Sequence, residues 1–170
     1  MGFNKLSLSR FSIVSVLLAI ITLSVFNPSL ISASSNAHEL ISSTDLSRDG
    51  KLAGMSNRVL MVEFSSEDCG YCRLLEEEFL KPMLRNSEYG EKVVIRSISL
   101  SHNDTLIDFE GNRVSASELA TKYGVFVTPT LLFLDENGQE VSDKLVGFWS
   151  VDFYGGFIDA RIDSARGQNS

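Results

Sequence analysis

Cys69 and Cys72 are the only two cysteines of a 170-residue chain, and Gly70 and Tyr71 separate them. A bridge over so short a loop constrains the unfolded chain little, so stabilisation does not explain the spacing. Exchange between dithiol and disulfide does. The Cys69-Gly70-Tyr71-Cys72 segment follows an apolar run and opens a helical pattern, which puts the first sulfur at a helix N-terminus, near unpaired backbone N–H groups and the positive end of the macrodipole. Thiols so placed have pKa values lowered to about 3.5 to 7.5, and the thiolate is the attacking species. Cys69 is the expected nucleophile. Cys72, one helical turn further on, is the expected resolving thiol, and Tyr71, between two active sulfurs, is expected to face the substrate with Gly70. Glu67 and Asp68 oppose thiolate formation while the helix terminus and Arg73 favour it; the sequence does not fix the net shift, and the two acids tilt the reading toward a reductase rather than an oxidase.

The same spacing supplies half of a zinc site, but a closed site needs four ligands, and only His38 and His102 could complete it. The expectation is no metal and no organic cofactor. Copper delivery through the two cysteines is the metal-based alternative.

The elements that must position the sulfurs follow from periodicity. Residues 38 to 57 form a polar extension with scattered apolar side chains and an Arg48-Asp49-Gly50 turn signal, expected to hold a short helix packed loosely on the domain edge. Arg58 to Phe64 is an apolar run of strand formers interrupted by Glu63, and Cys69 to Leu80 is a helix that Pro82 should end or kink. Lys92 to Leu100 forms a second strand, and His102 to Arg113 an insertion loop with room for a hairpin. Ser115-Ala116-Ser117-Glu118 is a capping box that opens a helix closed by Gly124. Val125 to Asp135, interrupted by Thr128-Pro129, and Glu140 to Phe148 form a hairpin around Glu136-Asn137-Gly138-Gln139. A final helix runs from Ser150 to Ala165 with Phe153, Phe157, Ile158 and Ile162 inward, Trp149 packs beside it, and residues 167–170 form a disordered tail. This order specifies an α/β fold, a central mixed sheet with helices on both faces, over residues 58–166.

Lys5 and Arg10 precede an uncharged stretch from Phe11 to Phe26, and small polar residues follow it up to Ala37. That is the layout of a secretory signal over residues 1–37, with cleavage expected after Ala37 or else after Ala33. The 16-residue run is shorter than the roughly 20 residues a spanning helix needs, which favours cleavage over an uncleaved anchor. Without Lys5 and Arg10 the chain keeps 13 basic against 22 acidic residues, so nucleic acid and anionic membrane surfaces are poor partners.

A strand ending in Glu63-Phe64, Cys69-Gly70-Tyr71-Cys72 at a helix start, Thr128-Pro129 before an apolar strand and a glycine at Gly147 together resemble the thioredoxin-like superfamily. The resemblance covers about residues 58 to 165. It implies that Pro129 is the cis-proline lying against the disulfide, where Thr128 and neighbouring backbone, with Gly147, bind the substrate chain. It also implies that Glu63 is the buried acid that helps to move the proton of the second cysteine, a role suited to a carboxyl whose pKa burial raises. Asp108-Phe109-Glu110-Gly111, Ser117-Glu118-Leu119-Ala120, Tyr123-Gly124-Val125, Thr128-Pro129-Thr130-Leu131 and Asp135-Glu136-Asn137-Gly138 are similar to the SoxW-like periplasmic thioredoxins. Those imply a periplasmic reductant fed by a membrane thiol donor of the DsbD or CcdA kind. The Gly70-Tyr71 dipeptide and Thr128 resemble instead the catalytic domain of DsbC-type isomerases, although the roughly twenty residues between Ala37 and the first strand are too few for a dimerisation domain.

The reading is therefore an exported, monomeric thiol–disulfide oxidoreductase that mainly reduces disulfides of periplasmic proteins. Cys69 attacks, Cys72 resolves, Glu63 assists proton transfer, and Gly70, Tyr71, Thr128, Pro129 and Gly147 hold the substrate. Alternatives are an isomerase or oxidase and a binding module that uses the same groove.

Overall fold

The computed structural model describes residues 39–101 and 104–168. The expected leader, both histidines and residues 169–170 lie outside them. Asp45 caps helix α1 (Leu46–Gly54), its carboxylate accepting the Arg48 N–H at 2.9 Å. Strand β1 (Val59–Ser65) leads into α2 (Gly70–Leu75), a π-helical segment (Glu76–Leu80), α3 (Lys81–Arg85) and the single turn α4 (Ser87–Gly90). Strand β2 (Val93–Ser99), the hairpin β3 (Thr105–Ile107) and β4 (Arg113–Ser115), and α5 (Ala116–Lys122) follow. Strands β5 (Thr130–Leu134) and β6 (Glu140–Val146) and the long α6 (Val151–Gln168) complete the chain.

The four-stranded sheet has the order β2-β1-β5-β6, with β1 parallel to β2 and antiparallel to β5, and β5 antiparallel to β6. Its two central strands are continuous apolar runs because both faces are covered. Side chains alternate across β1, so Val59 and Met61 pack with Leu75, Leu80 and Met83 of the α2–α3 segment and with Tyr154, Ile158 and Ile162 of α6. Leu60, Val62 and Phe64 pack on the other face with Leu46 and Ala53 of α1 and Leu119 and Ala120 of α5. This is the mixed sheet with helices on both faces that the element order specifies.

Four local expectations are corrected. The segment before β1 is not a loose edge: Leu46 and Ala53 are buried in the core, and Arg48-Asp49-Gly50 lies inside α1 rather than in a turn. Burying one stripe of the helix against the sheet outweighs the turn preference of Asp and Gly. Pro82 does not end the helix begun at Gly70. The Lys81 N–H reaches back five residues to the Glu76 carbonyl, and this π-helical slip lets Pro82 enter as an early residue of α3.

The strand expected from Val125 begins only at Thr130, because Phe126 and Val127 are exposed ahead of Pro129. Phe153 and Phe157 are not core but 70% and 45% exposed. The inward stripe of α6 is Tyr154, Ile158, Ile162 and Ala165, set one residue further along than the pattern of aromatics indicated. Gly155 does not break this helix, since a Cβ there would stand 3.0 Å from the Phe79 ring, and its absence admits that ring. The capping box at Ser115 and Glu118 forms in both directions.

Candidate redox-active site

Strand β1 delivers the chain to the first cysteine, and the residues Ser66 to Asp68 turn it into α2. Cys69 is the N-cap, its backbone extended, and its Sγ accepts the Cys72 N–H at 3.0 Å. The two cysteines are joined as a disulfide. Cys69 is half-buried whereas Cys72 is 1% exposed, so one sulfur is open to a partner and the other is shielded. Arg73, placed in sequence to favour a thiolate, directs a guanidinium N–H to the Glu67 carbonyl at 3.0 Å and so fastens the turn before Cys69.

Three loops meet around this pair. The Thr128–Pro129 peptide is cis. The Ser66 and Thr128 hydroxyls lie 3.1 Å apart in a hydrogen bond that ties the β1–α2 turn to the proline loop. The Thr130 hydroxyl donates to the Val127 carbonyl at 2.7 Å, and the Gly147 N–H donates to the Pro129 carbonyl at 2.8 Å. Gly147 has φ +75°, a conformation that suits glycine, and its carbonyl accepts the Tyr154 hydroxyl at 2.8 Å. Thr128, Pro129 and Gly147 thus belong to loops that converge on the end of the sheet from which α2 starts, and Tyr71, in the first turn of α2, is 63% exposed.

Glu63 lies beneath. It is fully buried on the β1 face that α2 and α6 cover, next to Met61 in the alternation. Neither carboxyl oxygen meets a hydrogen-bond partner among the described residues. Burial, and secondarily the negative charge of Glu76, push its pKa up to about 8. The carboxyl is therefore mostly neutral at pH 7, and it is neither edge-exposed nor salt-bridged.

Sequence reasoning missed Glu76. It begins the π-helical segment four residues after Cys72, half-buried, and its own pKa is raised, chiefly by burial. The signal was its helical spacing from Cys72, hidden by the run Glu76-Glu77-Glu78, which reads as one polar face. Tyr154 was also missed; burial and the Glu63 charge hold its phenol well above the usual range. Among the described residues no group of three or more His, Cys, Asp or Glu side chains could hold a metal ion, and no helix is long and apolar enough to cross a membrane.

No curated protein matches the sequence. Among solved structures, the thioredoxin of Malassezia sympodialis (Mala s 13) superposes with a TM-score of 0.51 at 19% identity, over 76% of this chain and 92% of that one. That likeness is one of fold. The thioredoxin-like domain family matches residues 46–159, a span that begins at α1 and takes in the disulfide and the cis-proline. By that match, over more than half of its length, the chain belongs to the thioredoxin-like family.

Proposed function

We propose that this protein is an exported thiol–disulfide oxidoreductase, acting mainly as a reductase on disulfides of periplasmic proteins. The observation that carries the reading is the asymmetry of the pair: an accessible Cys69 sulfur at a helix N-terminus, with a shielded Cys72 bonded to it. In the reduced protein the Cys69 thiolate attacks a substrate disulfide, whose S–S bond breaks as a mixed disulfide forms and the leaving sulfur takes a proton. In the molecules whose Glu63 is ionised, its carboxylate takes the Cys72 proton, and the Cys72 thiolate attacks the Cys69 sulfur. The second substrate thiol is released, two electrons have passed to the substrate, and the Cys69–Cys72 bond is closed. A carboxyl whose pKa burial raises to about 8 is a much stronger base, once ionised, than an ordinary carboxylate, which suits it to take a thiol proton. A membrane dithiol donor re-reduces the pair, and the protein works as a monomer without metal or organic cofactor.

Cys69→Ser is expected to abolish reduction of insulin disulfides, and Cys72→Ser to accumulate the mixed disulfide, read by non-reducing electrophoresis. A Cys69→Ser protein that keeps its activity would refute the mechanism. The potential of the couple sets the direction: about −270 mV supports the reductase, and about −120 mV replaces it with an oxidase. An isomerase is the second reading, favoured by the exposed Tyr71 between the sulfurs and by Thr128 before the cis-proline, and it calls for a potential near about −180 mV.

A further inference from the structure

The disulfide stands at one end of a band of aromatic rings that the proton chemistry does not use. Tyr71 and Phe148 have ring centroids 6.4 Å apart, Phe148 and Tyr154 4.7 Å, Tyr154 and Trp149 4.7 Å, and Trp149 and Phe157 5.7 Å. Phe148 and Tyr154 are buried and form the floor of the band. Above it Tyr71, Trp149 and Phe157 are 63%, 53% and 45% exposed, and Phe153, one helical turn before Phe157, is 70% exposed. The core does not require these four, since α6 already packs on the sheet through Tyr154, Ile158 and Ile162. A contiguous strip of large exposed apolar side chains is characteristic of a contact surface.

We infer that this strip, running along the β6–α6 turn and the first turns of α6, binds an apolar, aromatic-bearing segment of the disulfide-containing polypeptide with which Cys69 exchanges. The inference rests on the thiol–disulfide reading above. The strip begins at Tyr71, inside the redox motif itself, so a chain bonded to Cys69 starts out beside it. Added end to end, the centroid steps bound the reach of the band at about 20 Å, which an extended chain of about six residues covers at ~3.3 Å each. The occupant therefore carries its aromatic residue within about six positions of the target cysteine.

Charge decides against the other occupants. Asp152, Asp159 and Asp163 are exposed along the same helix and would repel an anionic lipid surface. In a two-fold contact between copies the same acids would be brought toward one another. They favour Lys or Arg beside the aromatic residue of the bound segment. Large aromatic residues are mostly buried once a chain has folded, so the substrate class that offers one beside a target cysteine is an unfolded or incompletely folded cysteine-containing chain.

The test uses the reduced protein in single turnover against three disulfides: hydroxyethyl disulfide, a cystine peptide with Trp-Lys four residues from one cysteine, and the same peptide with Ser-Ser at those positions. Below saturation the Trp-Lys peptide is expected to react about tenfold faster than the Ser-Ser peptide. In the Phe153→Ser/Phe157→Ser variant that advantage should fall below about twofold, with hydroxyethyl disulfide reduced at an unchanged rate. The unchanged rate also reports an intact fold. Equal rates for the two peptides, or an advantage that survives in the variant, would overturn the inference. So would a wild-type dimer in sedimentation that the variant loses, because the strip would then be covered by a second copy. A wild-type protein that fails even with hydroxyethyl disulfide would remove the thiol–disulfide reading itself.

Discussion

Asp49, on α1 over one face of the sheet, accepts the Ser43 hydroxyl at 2.7 Å and the Arg96 guanidinium at 2.7 Å. Glu63, on β1 facing the opposite side, is more deeply buried and has no such partner among the described residues. Both are carboxyls inside one small domain, and burial of either charge is costly unless it is paired. The protein meets that cost in two ways. Asp49 keeps a partner and joins α1 to β2, which is a structural use. Glu63 rises in pKa until it is mostly neutral at pH 7, and it does so beneath the helix that carries the disulfide. An unpaired buried acid on the sheet face beneath the helix that carries the cysteine pair is disposed to exchange protons, whereas a paired one is held.

The largest expected effect breaks the comparison at Glu63. Its folded pKa, about 8, lies above the ordinary 4.5, so between those values the native state holds a proton that the unfolded chain has lost. Stability should be greatest below about pH 4.5 for this group and fall by about 1.4 kcal/mol per unit as pH rises to 8, roughly 5 kcal/mol in all. Urea unfolding of wild type and Glu63→Gln across pH 5 to 9 checks this, the variant lacking that slope. Parallel profiles for the two proteins would mean that Glu63 is solvated or paired after all. The same variant should slow the step in which Cys72 resolves the mixed disulfide.

A smaller loss is expected on the other face. Arg96→Met leaves Asp49 buried with only Ser43, at a cost of about 3 kcal/mol in urea unfolding at pH 7, and Asp49→Asn in the same chain should recover most of it. No recovery would show that Arg96 contributes by packing rather than by pairing. The smallest change sharpens the contrast: Glu76→Gln removes the lesser of the two causes that raise the Glu63 pKa. The pH at which the stability loss levels off should move down from about 8 while staying well above 4.5, because burial remains. A levelling-off point that does not move would leave burial as the sole cause.

The redox pair was legible in the sequence because its chemistry depends on residues three apart in a single helical turn. The capping box at Ser115 and Glu118 was legible for the same reason. The strand and helix order gave the sheet architecture, since apolar runs and their spacing are what burial on two faces demands. Phe153 and Phe157 were assigned inward because two aromatics at helical spacing fit a core stripe as well as Tyr154 and Ile158 do, and only contact with the sheet selects between the two phases. The helix α1 was underestimated because its apolar content is low, and the Arg96 that pairs with its buried Asp49 lies 47 residues away.

Local order, then, determined the cysteine pair, its place at a helix start and the succession of elements, because each is written within one or two turns of chain. Tertiary structure alone decided that Ser66 bonds to Thr128, 62 residues away, that Gly147 reaches Pro129, and that Glu63 has no hydrogen-bond partner among the described residues while a second acid stands near it. Those facts depend on which distant groups burial brings together, and the energy of a charge is set by its surroundings rather than by its own residue type.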